Sequence, residues 1–341
     1  MTPPGLALVR RGEGVCQRAG AAPARAGRVL ERLDRLQQRR AMLGFPFAVL
    51  RKYADDGGGR EAALITYYGF LSIFPALLLA QTVVARVFPE RAELRHRLFL
   101  AMVPPSLQST VAGAADALPE SAAAFIAGLA GLLLAGTGVV FAASQTLNHL
   151  AAVPYRRRTA RVSGPVRVVA ALLLILGGAV TVGGLVVVVT AYPGLPEASR
   201  AVAVAGEGAI VFVVLVLVAR LLLARPAPVR ALWPAAVPAA VTITFTLELG
   251  AAVLPGLVRR AGPVYGGFAT VAGMFTLLYV LSNALVLTAE IAAVREARLW
   301  PRALDRGRPT EADAHALALL AREQERVPGQ RIESRLRSNA S

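Results

Sequence analysis

The 341-residue chain is 55% hydrophobic, has a mean hydropathy of +0.55 and carries a formal net charge of +16, with 37 Lys and Arg against 21 Asp and Glu. A soluble protein of this length would form two or three domains with alternating apolar and polar faces, whereas the apolar residues here gather in long blocks. The single cysteine, Cys16, excludes an intrachain disulfide framework. The high positive charge could indicate nucleic-acid binding, and the positions of the charges along the chain decide whether it does.

The first part of the chain is polar and basic. Residues 1–27 are rich in Ala, Arg, Gly and Pro, a composition typical of disorder. Residues 28–43 place leucines near helical spacing between arginines, which predicts a basic amphipathic helix, either on the inner leaflet or solvated. The Asp-Asp-Gly-Gly-Gly run at 55–59 predicts a break before the first apolar block. Because no apolar core of a signal peptide precedes that block, we expect it to act as an uncleaved insertion signal.

Six apolar blocks follow, each about 20 residues or longer, the length that a helix needs to cross a hydrocarbon core of about 30 Å. They are predicted at about 62–87, 121–147, 166–192, 203–224, 231–257 and 264–293. Runs this long and continuous predict helices, because barrel strands are short and alternate in polarity. The expected fold is all-α: a polytopic membrane protein with six transmembrane helices, comprising a basic arm (1–44), a membrane domain (45–295) and a polar tail (296–341).

The basic residues cluster on one predicted side of the membrane. The first 61 residues hold 12 Lys and Arg, the connections after the second and fourth blocks hold five and three, and the tail from Arg295 holds ten, against seven in the other connections. The positive-inside rule therefore predicts that both termini are cytoplasmic. The expected partners are membrane lipids, with anionic headgroups at the cytoplasmic face, and a second copy of the chain as a further candidate; nucleic acid is not expected.

The sequence offers no template for catalysis. The three histidines (His96, His149 and His315) are scattered without metal-ligand spacing, and no GxSxG, HExxH or Walker A sequence occurs. We therefore expect no catalytic residue, metal or cofactor. In the tail, Thr310 and Asp313 resemble a capping box, which predicts a helix over about 311–326.

Polar side chains within the apolar blocks are the candidate functional residues, because ionisable groups are costly in a bilayer and usually face protein or water. Glu248 lies near the middle of the fifth block, with Thr244 four residues earlier on the same helical face. Two interpretations stay open: a proton, cation or substrate site, or a protonated Glu hydrogen-bonded to a neighbouring helix.

The sixth block has a polar stripe. Thr276, Asn283 and Glu290 recur at intervals of seven residues, which predicts that they share one face and point into the bundle. Glu290 is near the cytoplasmic end, where we expect it to reach Arg295 or the basic loops. It is either part of an interfacial ion pair or a functional group.

The first two blocks also contain polar and small residues. Tyr67 and Tyr68 are expected near the inner interface, and Pro75 should free the carbonyl of Leu71 and kink the helix, with Ser72 helping to satisfy that carbonyl. The second block ends at Asn148 and His149 and is followed by three arginines at 156–158, which suit either topology alone or anionic headgroups. Small residues at 127, 131 and 135 predict close helix packing.

Several stretches together resemble the YihY/BrkB family of bacterial inner-membrane proteins. LITYYGFLSIFPALLL resembles the first span of the family, LNHLAAVPYRRR its Leu-Asn segment and basic loop, VYGGFATVAG the opening of the last span and LVLTAEIAA its Glu-containing segment. The matching residues are Tyr67, Tyr68, Ser72, Phe74, Pro75, Asn148, Tyr265, Gly266 and Glu290. The chain departs from the pattern at Gly267 (Ser in the family), Thr288 (Gly) and Ala292 (Asn). The resemblance covers about residues 45–295 and implies a multi-pass protein of the bacterial plasma membrane.

Three functions follow from these features. The leading hypothesis is transport-like handling of a lipid or other amphiphilic envelope substrate, because polar groups lie within the spans and basic loops lie at the predicted inner leaflet. The resemblance points the same way, since some relatives are linked to envelope lipid or lipopolysaccharide transport and others to virulence. The second is a non-transporting scaffold that docks partners through its basic cytoplasmic arms. The third is the ribonuclease activity of an old family label, which no residue pattern here supports.

Overall fold

The computed structural model describes residues 32, 34–38, 41–87, 122–162, 165–191, 196–225, 227–265, 267–305 and 307–334. All regular elements in these ranges are α-helices, as predicted. They are α1 (Ala41–Asp55), α2 (Gly58–Val87), α3 (Ala122–Leu150), α4 (Tyr155–Val162), α5 (Pro165–Ala191), α6 (Glu197–Leu222), α7 (Val229–Tyr265), α8 (Gly267–Ala297) and α9 (Glu311–Glu323). Residues 32 and 34–38 are also helical; the predicted disorder of 1–27 and much of the predicted helix at 28–43 lie outside the described residues.

Six of these helices, α2, α3, α5, α6, α7 and α8, are long and apolar enough to cross a membrane, which confirms the predicted number of spans. They form a closed ring in which each packs against the next in that order and α8 returns to α2. α3 also contacts α6 and α8, so it lies across the interior of the ring. The orientation of the ring in the membrane stays a prediction.

Close approach of the helices depends on small residues. A Cβ added at Gly131 would lie 3.2 Å from Pro75, and one at Gly138 would lie 2.3 Å from the Tyr68 ring. The prediction of tight packing around position 131 is therefore confirmed. Where helices meet across a bilayer, such contacts replace the hydrophobic effect as the source of stability.

The hydroxyl of Ser72 takes a different partner from the one predicted. α2 continues as a helix through Pro75, and Ser72 Oγ donates to the carbonyl of Tyr68 at 2.8 Å, not to that of Leu71. A serine hydroxyl in a helix most readily reaches the carbonyl four residues back, which is the physical reason for the difference.

One end of the ring, here called the basic end, is covered by α1, α4, α9 and the connections around them. The predicted break at 55–59 is a turn in which Gly57 has a φ of 68°, a conformation that favours glycine. α1 then packs on α8 and α2, and a small core of Ala48, Val294, Leu299 and Ala316 joins α1, α8 and α9.

The predicted capping box at the start of α9 is present. The Thr310 side chain accepts from the Asp313 N–H, and Asp313 accepts from the Thr310 N–H. Burial would raise the pKa of Asp313, but hydrogen bonds from the backbone of Ala303 and Thr310 and from Arg302 outweigh it and lower the pKa below its ordinary value of 3.8. α9 is therefore fastened to the segment that follows α8.

Candidate functional site

The most buried charged cluster surrounds Lys52 at the basic end. Its Nζ donates to Asp56 Oδ2, to Glu290 Oε2 at 2.8 Å and to the Leu150 carbonyl at 3.0 Å. Glu290 is completely buried. Burial alone would lower the pKa of Lys52, but the carboxylates of Glu290 and Asp56 outweigh it and raise the pKa above its ordinary value of 10.5. Lys52 is therefore a buried cation at neutral pH, with each of its three N–H donors matched to an acceptor.

The cluster continues through His149 to α9 and α4. His149 Nε2 lies 3.1 Å from the Asp56 carbonyl oxygen, and Nδ1 lies 2.6 Å from Glu323 Oε1. Arg158 donates to the same oxygen of Glu323. Both ring nitrogens of His149 face acceptors, so the doubly protonated imidazolium is the form that satisfies both contacts.

We call this set the basic-end network, made up of Lys52, Asp56, His149, Arg158, Glu290 and Glu323. It contains three cations, counting the imidazolium, and three carboxylates, so its charges balance. One oxygen of Glu290 and one of Glu323 are buried without a hydrogen-bond partner. These two carboxylate oxygens can each accept a further hydrogen bond. Leaving them unpaired in a buried site is costly.

Glu290 forms an ion pair with Lys52 from α1 and not with Arg295, which was one of the partners expected from the sequence. Arg295 is exposed. Of the two interpretations, the ion pair is therefore present, but its cation comes from α1, which packs on α8 from a distant part of the sequence.

The polar stripe of α8 is only partly buried. Asn283 Oδ1 accepts a hydrogen bond from the Tyr53 hydroxyl, and Glu290 is at the centre of the basic-end network. Thr276 is exposed and donates to the carbonyl of Ala272. The prediction of an inward-facing stripe is right for Asn283 and Glu290 and wrong for Thr276.

Asn148 joins α3 to the end of α6. Its Nδ2 donates to the Leu222 carbonyl at 3.0 Å, and its Oδ1 accepts from the Ala224 N–H at 2.8 Å. Asn148 is 1% exposed. It satisfies backbone groups where α6 ends, which is a structural role.

The remaining predicted residues are spread along α2 and α7. Tyr68 and Pro75 pack against glycines of α3, while Tyr67 is 54% exposed and its ring meets that of Tyr68 edge to face. α7 ends at Tyr265, but the side chain of Tyr265 and the whole of Gly266 lie outside the described residues. The tyrosine–proline pattern therefore serves packing between α2 and α3.

A cavity of about 580 Å³ lies inside the ring, between α3, α6, α7 and α8. Ala, Val, Leu and Ile line its walls. The polar lining side chains all belong to the basic-end part of the bundle, and they are Lys52, Thr146, Arg225, Thr288, Glu296 and His315. The cavity therefore has an apolar body and one charged end.

Glu248 lies away from this region. It is exposed on α7, and its carboxyl group lies within hydrogen-bonding reach of that of Glu207 on α6, a buried residue. Among the described residues that line the cavity, neither Glu248, Asn283 nor Glu290 is present. The candidate residues of the sequence thus divide between two places instead of forming one site.

Sequence reasoning missed Lys52 and Glu207. A usable signal existed for Lys52, since it is the single lysine among the 37 Lys and Arg. Glu207 interrupts the fourth apolar block, where any carboxylate is unusual. The contribution of α9 was hidden because its polar sequence resembles that of a free tail.

The family model for Virulence factor BrkB matches residues 49–313. The matched range begins within α1 and ends within α9, so it includes all six spans, Lys52 and Glu290. No curated protein and no solved structure matches the chain.

Proposed function

The chain belongs to the Virulence factor BrkB family and is an integral membrane protein, and from these premises we propose that it binds and moves a lipid or other amphiphilic molecule of the cell envelope. The observation that supports the proposal best is the cavity inside the ring. Its volume of about 580 Å³ falls in the range of roughly 300–1,000 Å³ typical of small-molecule sites.

The lining of the cavity suits a molecule with an apolar tail and a polar head. The tail would lie between α6 and α7, where the walls include Ala235, Ala239 and Val214. The head would lie at the basic end. Because no polar group lines the apolar body in the part that the structure describes, a wholly polar solute would lose its hydration there without compensation.

Two oppositely charged side chains stand at the charged end. Arg225 and Glu296 form an ion pair, and their side chains are 46% and 50% exposed. A pair this exposed is worth little to stability, about 0–1 kcal/mol. A phosphate or carboxylate headgroup can therefore replace Glu296 as the partner of Arg225 at small cost, and the guanidinium is well suited to such anions.

Filling the cavity tests the proposal. The purified protein is placed in liposomes, and transbilayer movement of fluorescent lipids with several headgroups is measured. Ala235→Phe puts a ring into the cavity, whereas Val237→Phe changes an exposed position two residues away on the same helix. We expect flux to fall at least tenfold in Ala235→Phe and to be unchanged in Val237→Phe.

The result that would contradict the proposal is wild-type flux no greater than that of empty liposomes for every headgroup. Equal loss of flux in both phenylalanine variants would show that the cavity is not the route. Arg225→Gln separates head from tail recognition, since it should lower flux of anionic lipids and leave that of a neutral diacylglycerol unchanged.

We also propose that the basic end faces the cytoplasm of a bacterial cell, with anionic headgroups as its lipid contacts. The charge asymmetry supports this orientation. Cys16 is the single cysteine, so a membrane-impermeant maleimide tests it directly. Labelling should require permeabilised cells, and full labelling of intact cells would reverse the orientation.

The scaffold hypothesis has less support from the described tail. Residues 299–325 contact the bundle through Leu299, Arg302 and Glu323, so they do not form a free docking arm. Deleting residues 1–31 distinguishes the two functions, because lipid flux should survive the deletion and a docking function should not.

A further inference from the structure

Two carboxyl groups meet between α6 and α7, away from the basic-end network. Glu207 on α6 is 2% exposed, and its carboxyl group lies within hydrogen-bonding reach of that of Glu248, which is exposed on α7. A hydrogen bond between two carboxyl groups requires a proton on one of them. Two carboxylates this close in a poorly polar environment cannot both be ionised without a large cost, so the pair holds at least one proton.

Thr244 adds an independent oxygen beside the pair. It is 6% exposed and precedes Glu248 by one helical turn. A Cβ placed on Gly208, the neighbour of Glu207, would lie 3.7 Å from Thr244 Oγ1, so the hydroxyl is directed at this part of α6. Both Thr244 Oγ1 and Glu207 Oε1 are buried without a hydrogen-bond partner.

The absence of a partner for Thr244 is unusual in this chain. Helical threonines normally bond to the carbonyl one turn earlier. Five other threonines of the described helices do so: Thr66, Thr181, Thr246, Thr276 and Thr288. Thr244 is therefore left with its donor and acceptor capacity available to the two carboxyl groups.

The pair lies away from the basic end, near the middle of α6 and α7. α7 continues from Glu248 to Tyr265, and α6 begins ten residues before Glu207. Glu248 is exposed on the surface of the described bundle, whereas Glu207 is buried. One carboxyl group is thus accessible and the other is sealed.

The surroundings of the pair in the described residues are apolar. α5 presents Leu185 opposite Gly206, and α8 presents Leu277 opposite Gly250. The titratable residues of α3 and α5 are His149 and Arg167, both towards the basic end, and those of the described part of α8 are Tyr279, Glu290, Arg295 and Glu296, beyond Leu277 towards that end. Arg200 precedes Glu207 by about 10 Å along α6 and Arg260 follows Glu248 by about 18 Å along α7.

We propose that Glu207, Glu248 and Thr244 form an exchangeable-proton site. The pair keeps one proton in the hydrogen bond between the two carboxyl groups, and the exposed Glu248 takes up a second proton from water. When the second proton leaves through Glu248, the hydroxyl of Thr244 donates to the one carboxylate that forms. The site is independent of lipid binding, although Glu207 lies two turns beyond Val214 of the cavity wall on the same face of α6.

Infrared difference spectroscopy of the full chain in lipid nanodiscs tests the site without any lipid-flux assay. The carbonyl stretch of protonated carboxylic acids is followed while the pH is changed. We expect a band that titrates with an amplitude of one proton per protein. Glu248→Gln, at an exposed position, should remove or displace it, and so should Glu207→Gln. Glu197→Gln, at the start of α6, and Thr246→Val, whose hydroxyl bonds within its own helix, should leave it unchanged.

Thr244→Val probes the hydroxyl separately. Because the hydroxyl stabilises the pair after the second proton has left, its removal should raise the midpoint of the titration by up to about one pH unit. An unchanged midpoint would exclude Thr244 from the site. The proposal is overturned if no carboxylic acid band titrates in the wild type, or if the wild-type band persists unaltered in Glu248→Gln.

Discussion

Replacing Lys52 with methionine removes one of the three cations of the basic-end network while keeping a side chain of similar length. Glu290, which is completely buried, and Asp56, which is 4% exposed, would then lose the cation that they share. Removing one partner of a buried ion pair typically costs about 3–5 kcal/mol. We expect a loss of this size in the free energy of unfolding.

A matched control lies on the same helix. Arg51 and Asp55 form an ion pair at 3.6 Å, with side chains that are 20% and 27% exposed. Arg51→Met should therefore cost only about 0–1 kcal/mol. The assay is denaturant unfolding in mixed micelles, followed by the fluorescence of the two tryptophans. Trp300 is a direct reporter for α1, since its ring meets that of Phe45 at 5.3 Å.

The pH dependence gives a further check on the reasoning. The pKa of Lys52 is raised in the folded state, so the stability it contributes is fully present below its unfolded pKa and is lost only as the pH rises through the folded value. The contribution of Lys52 should therefore still be present at about pH 9. Equal losses in Lys52→Met and Arg51→Met would refute the assignment of Lys52 as a buried, paired cation.

Three further changes have defined outcomes. Gly138→Ala puts a methyl group against an aromatic ring 2.3 Å away and should cost about 1–3 kcal/mol in the same denaturant-unfolding assay. Gly69→Ala, with nothing within 4 Å, should be neutral or stabilising. Asn148→Leu removes the two hydrogen bonds that Asn148 makes to the Leu222 carbonyl and the Ala224 N–H at the end of α6, and should lower the free energy of unfolding by about 1–3 kcal/mol. Asp313→Asn should speed hydrogen exchange in α9; in the wild type, protection there is present above the unfolded pKa of Asp313 and is lost as the pH falls through the lowered folded value.

The features that could be predicted from sequence are those set by local chemistry or by the solvent. The six spans follow from the thickness of the hydrocarbon core, because each block must satisfy its own backbone within lipid. The capping box at Thr310 and Asp313 and the break at 55–59 depend on neighbouring residues alone. None of these predictions required knowing which helices pack against each other.

Partners across the fold could not be predicted in this way. Glu290 pairs with a residue 238 positions earlier, and Glu248 with a carboxyl group on the preceding span, which sequence spacing does not relate. A polar residue within an apolar block shows that its side chain needs a partner inside the bundle. The sequence does not show which helix supplies that partner.

The choice of lysine at position 52 is itself explained by the acceptors around it. Arginine is used at every other Lys or Arg position of this chain. Most of the arginine side chains that the structure describes are exposed, and there a rigid five-donor fork is an advantage. At position 52 the acceptors are two carboxylate oxygens and one carbonyl. An ammonium matches them with three donors, whereas a guanidinium would bring two more N–H groups into a buried site and leave them unpaired. Lys52→Arg should therefore fail to restore the stability lost in Lys52→Met, although it restores the charge, and full recovery in the arginine variant would show that charge alone decides this position.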